Sequence, residues 1–85
     1  MTTITLTEKI TVDNKDIQEI TLRRPKVRDR LAVERMGQSD AEKEVALIAN
    51  LADLPKETIE ELDLADYNKI QEVLQDFLLA SVPKT

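Results

Sequence analysis

Between Leu62 and Ala80, apolar residues recur at three- and four-residue steps: Leu64, Tyr67, Ile70, Val73, Leu74, Phe77 and Leu78. At about 100° per residue this spacing gathers them on one side of a helix. Asn68, Lys69, Glu72, Gln75 and Asp76 fall opposite. The pattern predicts one long amphipathic helix, capped by Asp63, with Asp66 in a first turn where the helix dipole favours negative charge. Both aromatic residues, Tyr67 and Phe77, lie on the apolar stripe. Aromatic side chains carry the largest apolar area, so the core is expected to be anchored here.

The front of the chain has a different period. Ile4, Leu6, Ile10 and Val12 alternate with Thr3, Thr5, Thr7, Lys9 and Thr11, which is the pattern of a half-buried strand. After a polar turn at Asp13-Asn14-Lys15-Asp16, Ile20 and Leu22 continue the same face. A two-residue loop at Asn14-Lys15 would split the apolar residues between faces, which a half-buried strand does not tolerate. Pairing Ile10 with Ile20 and Glu8 with Leu22 requires a three-residue loop or a bulge near Gln18. Two strands are not stable alone in water, so helices must cover the Ile/Leu face.

Arg23-Arg24-Pro25 closes the hairpin and opens a first helix running to about Met36, with Gly37 as its stop. This helix is poorly amphipathic. Val27 and Leu31 lie on one side and Val33 and Met36 nearly opposite, so either the helix is sandwiched or one pair faces a partner. Ser39 and Glu42 have the spacing of a capping box. They start a second helix whose stripe of Ala41, Val45, Ile48, Leu51 and Ala52 is widened by Leu47 and Ala49, as in a largely enclosed helix. Asp53-Leu54-Pro55 ends it, and a short acidic helical turn, Lys56 to Glu61, follows. The expected fold is α+β: an N-terminal β-hairpin followed by a small bundle of three to four α-helices. A single domain is expected over residues 1–85, with the hairpin at 1–24, the helical part at 25–81 and a frayed tail at 82–85.

Composition narrows the chemistry. The 85 residues contain no cysteine and no histidine, which removes disulfides, thiolate nucleophiles, imidazole bases and the commonest zinc ligands. One glycine does not make a glycine-rich phosphate cradle. No cofactor, no metal and no catalytic residue is expected. There is no apolar run of membrane-spanning length and no basic-then-apolar leader, so a cytoplasmic protein is expected. The net charge of −5 is uneven. Residues 1–36 hold eight Lys/Arg against six Asp/Glu, and residues 37–85 hold four against eleven.

Three blocks carry a resemblance: Ile20-Thr21-Leu22-Arg23-Arg24-Pro25-Lys26-Val27-Arg28-Asp29, Leu47-Ile48-Ala49-Asn50-Leu51-Ala52-Asp53-Leu54-Pro55, and Leu62-Asp63-Leu64-Ala65-Asp66-Tyr67. In order and spacing they resemble the small tail assembly chaperones of long-tailed bacteriophages and prophages. One departure is Asn14-Lys15 at the hairpin tip, where the family pattern suggests glycine; Asn tolerates the left-handed geometry such a turn needs. The resemblance implies a non-enzymatic protein of the host bacterial cytoplasm. Such a protein holds the long tape measure protein assembly-competent while tail tube subunits polymerise around it. Family members are often also made as a longer product by ribosomal frameshifting, a further possible partner, and a core this small gains from a second copy, so a homo-oligomer is also open.

A chaperone for a long helical polypeptide needs apolar contacts framed by charge. Val33 and Met36, rimmed by Arg28, Arg30 and Arg35, are the candidate surface, with Arg24 and Arg28 offering charge-assisted contacts to acidic partner groups. Leu79, off the main stripe of the long helix, is the next candidate. Arg24 is also a candidate ion-pair partner for Asp66, tying the hairpin end to the long helix. The basic run Arg23 to Arg30 and the helix-turn-helix spacing invite a nucleic-acid reading, but the second helix offers a mostly apolar, partly acidic surface to DNA. No nucleic acid and no membrane are expected as partners. Glu57, Glu60, Glu61, Asp63 and Asp66 lack the glycine-turned loop of a calcium site and read as helix caps. The alternative functional class is a small regulatory interaction protein of antitoxin or anti-repressor type.

Overall fold

The computed structural model describes residues 1–36 and 39–80, except for the side chains of Leu79 and Ala80. Strands β1 (Thr2–Val12) and β2 (Lys15–Leu22) are followed by α1 (Val27–Glu34), α2 (Asp40–Ala52), α3 (Lys56–Glu60) and α4 (Leu64–Ala80). A hairpin followed by four helices is the expected α+β arrangement. The helix stop expected at Gly37 and the tail at 82–85 lie outside the described residues.

The strands pair antiparallel, but in a different register from the one expected. The turn is the two-residue Asp13-Asn14, with φ of 52° and 64°. Left-handed geometry at both positions is the type I′ turn whose twist matches a hairpin. Ile10 therefore meets Ile17, Ile4 meets Ile20 and Thr2 meets Leu22. The irregularity does fall at Gln18, but the extra residues are in β1: Leu6, Thr7, Glu8 and Lys9 span the gap that Gln18 alone spans in β2. Placing them there keeps Ile4, Leu6 and Ile10 on the face of Ile20 and Leu22 and brings Ile17 to it, while Thr3, Thr5, Thr11 and Thr21 face water.

That face is covered by α2 against β2 and by α4 against β1, and α2 also carries α1 and α3. The shortest dimension, 18 Å, is what one sheet and one helix layer occupy. Ile20, Leu22, Ile48, Ile59 and Ile70 are almost fully enclosed, and Phe77 joins them at the far end of α4. Two members of the predicted stripe do not. Leu64 is 73% exposed and Leu78 50% exposed, because both sit on the flank of a stripe centred on Ile70, Leu74 and Phe77. Ala41, expected on the enclosed side of the second helix, is likewise exposed at its first turn.

Local chemistry sets the boundaries. The Glu42 N–H donates to Ser39 Oγ at 3.3 Å, as a cap should, but the Glu42 carboxylate accepts from the Ser39 hydroxyl (3.1 Å) in place of its backbone N–H. Asp53 ends α2 in the left-handed conformation with φ of 57°, and the Leu54 N–H reaches back to the Ala49 carbonyl. These satisfy carbonyls the helix end leaves open. At α4, an Asp63 carboxylate oxygen accepts from the Ala65 N–H at 3.0 Å, the expected cap. Where β2 ends, the Arg23 N–H donates to the Leu51 carbonyl and pins the hairpin exit to the end of α2.

Candidate protein-binding groove

The apolar residues of α1 are spread around it and not gathered on one face, so it can bury little. Its two buried residues are one turn apart, Asp29 and Val33. Asp29 is bound by both guanidinium nitrogens of Arg23, at 2.7 and 2.9 Å, and by the Lys26 N–H at 2.7 Å. Donation from Arg23 is the main reason its carboxyl lies at about 2, below the usual range. Val33, 5% exposed, inserts beside α2. Held by these two points, α1 stands off from α4 and leaves a groove of about 550 Å³ between α1, α2 and the C-terminal half of α4.

Val33, Leu47, Leu74 and Phe77 line the groove from within, and Val27 and Leu78 stand at its margins. Arg24 comes from the segment before α1 and lies over the Phe77 ring, its guanidinium carbon 5.5 Å from the centroid. Lys26 and Arg30 line the same wall, while Glu34, Asp40, Lys43 and Glu44 line the far end. Two of the three acids at that end are committed internally. Glu34 pairs with Lys43 at 3.3 Å, and Glu44 accepts from the Tyr67 hydroxyl at 2.6 Å and from Gln71 Nε2 at 2.7 Å. Burial first, and then the Glu44 carboxylate, push the Tyr67 phenol above its ordinary value.

The structure brings three of the candidate residues to this groove, Arg24, Arg30 and Val33. Arg28, Arg35 and Met36 do not line it; all three are exposed on α1 or just after it. Leu79's side chain lies outside the described residues. The candidate pair of Val33 and Met36 is split, since Val33 is enclosed and Met36 is 41% exposed. The apolar pair that faces water is the other one, Val27 at 76% and Leu31 at 52%. Sequence spacing set Val33 apart from Val27 and Leu31 but contained no signal for which side α2 would cover.

The proposed Arg24–Asp66 tie is replaced by a different one. Asp66 is fully enclosed, and its carboxylate accepts from the Thr7 N–H (3.0 and 3.1 Å), the Glu8 N–H (3.2 Å) and the Thr7 hydroxyl (2.8 Å), with Lys69 at 3.6 Å. Those backbone donors, Thr7's first, hold the carboxyl below its ordinary value. Asp63 and Asp66 thus satisfy backbone N–H groups. The helix-turn-helix reading also meets an obstacle, because α2 is packed against β2, α1 and α3 and its exposed residues, Asp40, Ala41, Glu42 and Asn50, offer DNA no cation.

A second depression, about 600 Å³, lies beside β2. Its charged groups are Asp16, already bound by Lys9 and Thr11, and Glu19, and no strongly exposed large apolar side chain lines it. The groove beside α1 is therefore the better candidate for gripping a protein. Among the described residues no helix is long and apolar enough to cross a membrane. No curated protein and no solved structure matches the chain. A family model described as phage tail assembly chaperone proteins, E, or 41 or 14, matches residues 3–79, which takes in the hairpin, α1 to α3 and nearly all of α4. The chain belongs to the phage tail assembly chaperone family.

Proposed function

We propose that this chaperone acts without catalysis in the host bacterial cytoplasm, binding the tape measure protein of the phage tail and keeping it soluble until the tail tube has polymerised around it. The observation that carries the reading is the outward face of α1. Val27 and Leu31 are exposed one turn apart, and Val27 stands at the margin of a groove with an apolar interior, across from the exposed Leu78. Isolated apolar residues on a surface are ordinary, but exposed apolar residues at the margins of an apolar groove, here Val27 and Leu78, are how a helix-binding protein presents itself. Arg28 and Arg35 flank Leu31 along α1, and Arg24 and Arg30 stand at the groove, so the apolar strip is framed by cations.

Co-expression of the tagged chain with the tape measure encoded beside it tests this reading. The two proteins are expected to co-elute from an affinity column. A folded chain that elutes alone, with the tape measure present in the lysate, contradicts it. The reading also requires a tail tube gene upstream and a very long tape measure gene downstream.

A further inference from the structure

We infer that the groove between α1, α2 and α4 selects an amphipathic helix whose apolar stripe is flanked by carboxylates, so that this acidic protein prefers an acidic ligand. The inference deepens the chaperone reading and rests on it, because it names the chemistry of the segment that the groove would grip.

The distribution of compensated and uncompensated charge is the basis. At the far end of the groove Glu34 is paired with Lys43 and Glu44 is hydrogen-bonded by Tyr67 and Gln71, so two of the three acids there are engaged within the chain, the exposed Asp40 being the exception. At the near end the cations are not. Among the described residues no carboxylate forms an ion pair with Arg24, Lys26 or Arg30, the cations that line it there, while Arg23 takes up Asp29. Arg24 is steadied over Phe77, which leaves the outer edge of its guanidinium open to a second partner. A cluster of cations beside an apolar groove lowers the free energy of an acidic ligand there even where the net charge of −5 repels it at longer range. The apolar interior, Val33, Leu47, Leu74 and Phe77, accepts side chains spaced at i, i+3 or i+4 and i+7 on one helix face.

The test uses the whole chain and two synthetic helical peptides of about twenty residues, roughly 30 Å long. Both carry the same leucine stripe, flanked in one by glutamate and in the other by lysine. Fluorescence anisotropy is read at low and high salt. The glutamate-flanked peptide is expected to bind about tenfold or more tightly than the lysine-flanked one. Salt should weaken it, and Arg30→Glu, a change at an exposed position, should abolish the preference. Non-specific electrostatics would give the opposite order, since the protein is acidic overall. Equal or tighter binding of the lysine peptide overturns the inference, as does a preference for glutamate that survives both Arg30→Glu and Lys26→Glu in variants with unchanged circular dichroism. Sedimentation showing that a second copy occupies the groove and excludes both peptides overturns it too. Capture of the tape measure together with a reversed peptide preference removes this inference alone. A glutamate preference with no capture removes the chaperone reading instead.

Discussion

The Asp66 carboxylate accepts the Thr7 backbone N–H with both oxygens, at 3.0 and 3.1 Å, and joins the first turn of α4 to the bulge in β1. The bulge frees backbone donors that β2 does not take up, and an enclosed carboxylate on the neighbouring helix satisfies them. Asp29 does the same kind of work at α1, where it receives Arg23 from the end of the hairpin. Each aspartate sits one turn before a buried apolar residue on its helix, Ile70 and Val33 respectively. The helix starts are thus fastened to the hairpin by charge and their middles by apolar packing.

Replacing Asp66 by Ala removes the acceptor of the Thr7 and Glu8 N–H groups and of the Thr7 hydroxyl, and with it the polar tie between α4 and β1. The thermal midpoint is expected to fall by about 10 °C. Asp66→Asn should fall less, because one carbonyl oxygen is retained. Circular dichroism melts measure both, and a shift of only about 2 °C for the alanine variant would show that water takes over the acceptor role.

Acid sensitivity follows from the same two carboxylates. Both have folded-state values below the unfolded one, Asp29 at about 2, so their stabilisation is complete above the unfolded carboxylate range and is lost as pH falls through the folded values. Urea midpoints should decline from about pH 5 toward about pH 2. Asp29→Asn should be less stable at neutral pH and show a shallower decline. An unchanged slope would mean that Asp29 is not depressed.

The left-handed C-terminal position of α2 is filled by Asp53, where glycine has no steric cost. Asp53→Gly should gain about 0.5 kcal/mol and Asp53→Val should lose more than about 1 kcal/mol by urea unfolding. Equal stabilities would mean that the turn relaxes to another conformation.

Tyr67 is the only tyrosine, so its ionisation can be followed by ultraviolet absorbance without deconvolution. Its midpoint should lie above the ordinary phenol value of about 10, and Glu44→Gln should bring it part of the way back. The protonated phenol is favoured by folding, so the stabilisation it supplies is present below the unfolded phenol value and lost as pH rises through the folded one. A midpoint near 10 in the native protein would remove the Tyr67–Glu44 link between α2 and α4.

Periodicity showed the hairpin, the long helix and the enclosed character of α2, because the apolar face of each is continuous along the chain. It misplaced the strand register because Ile17 is odd-numbered and was left out of the even face; only the turn at Asp13-Asn14 brings it to Ile10. For Asp66 it suggests a dipole partner and an ion pair with Arg24, although Asp66 stands four residues before Ile70 on the buried stripe, the one signal that marks it as enclosed. On α1 the spacing separated Val27 and Leu31 from Val33, but which side packs depends on Asp29 being pulled toward Arg23, a contact across six residues that apolar periodicity does not register. The groove depended on that choice and was not legible.

The central claim, that the α1 face grips the tape measure, is tested most directly by the soluble yield of the tape measure when it is made alone, with this chain, or with a Val27→Asp/Leu31→Glu variant. Both positions are exposed, so the variant should fold with stability within about 0.5 kcal/mol of the parent. The account predicts a soluble tape measure only with the unaltered chain. A tape measure equally soluble with the folded variant, or with no chaperone at all, would contradict it.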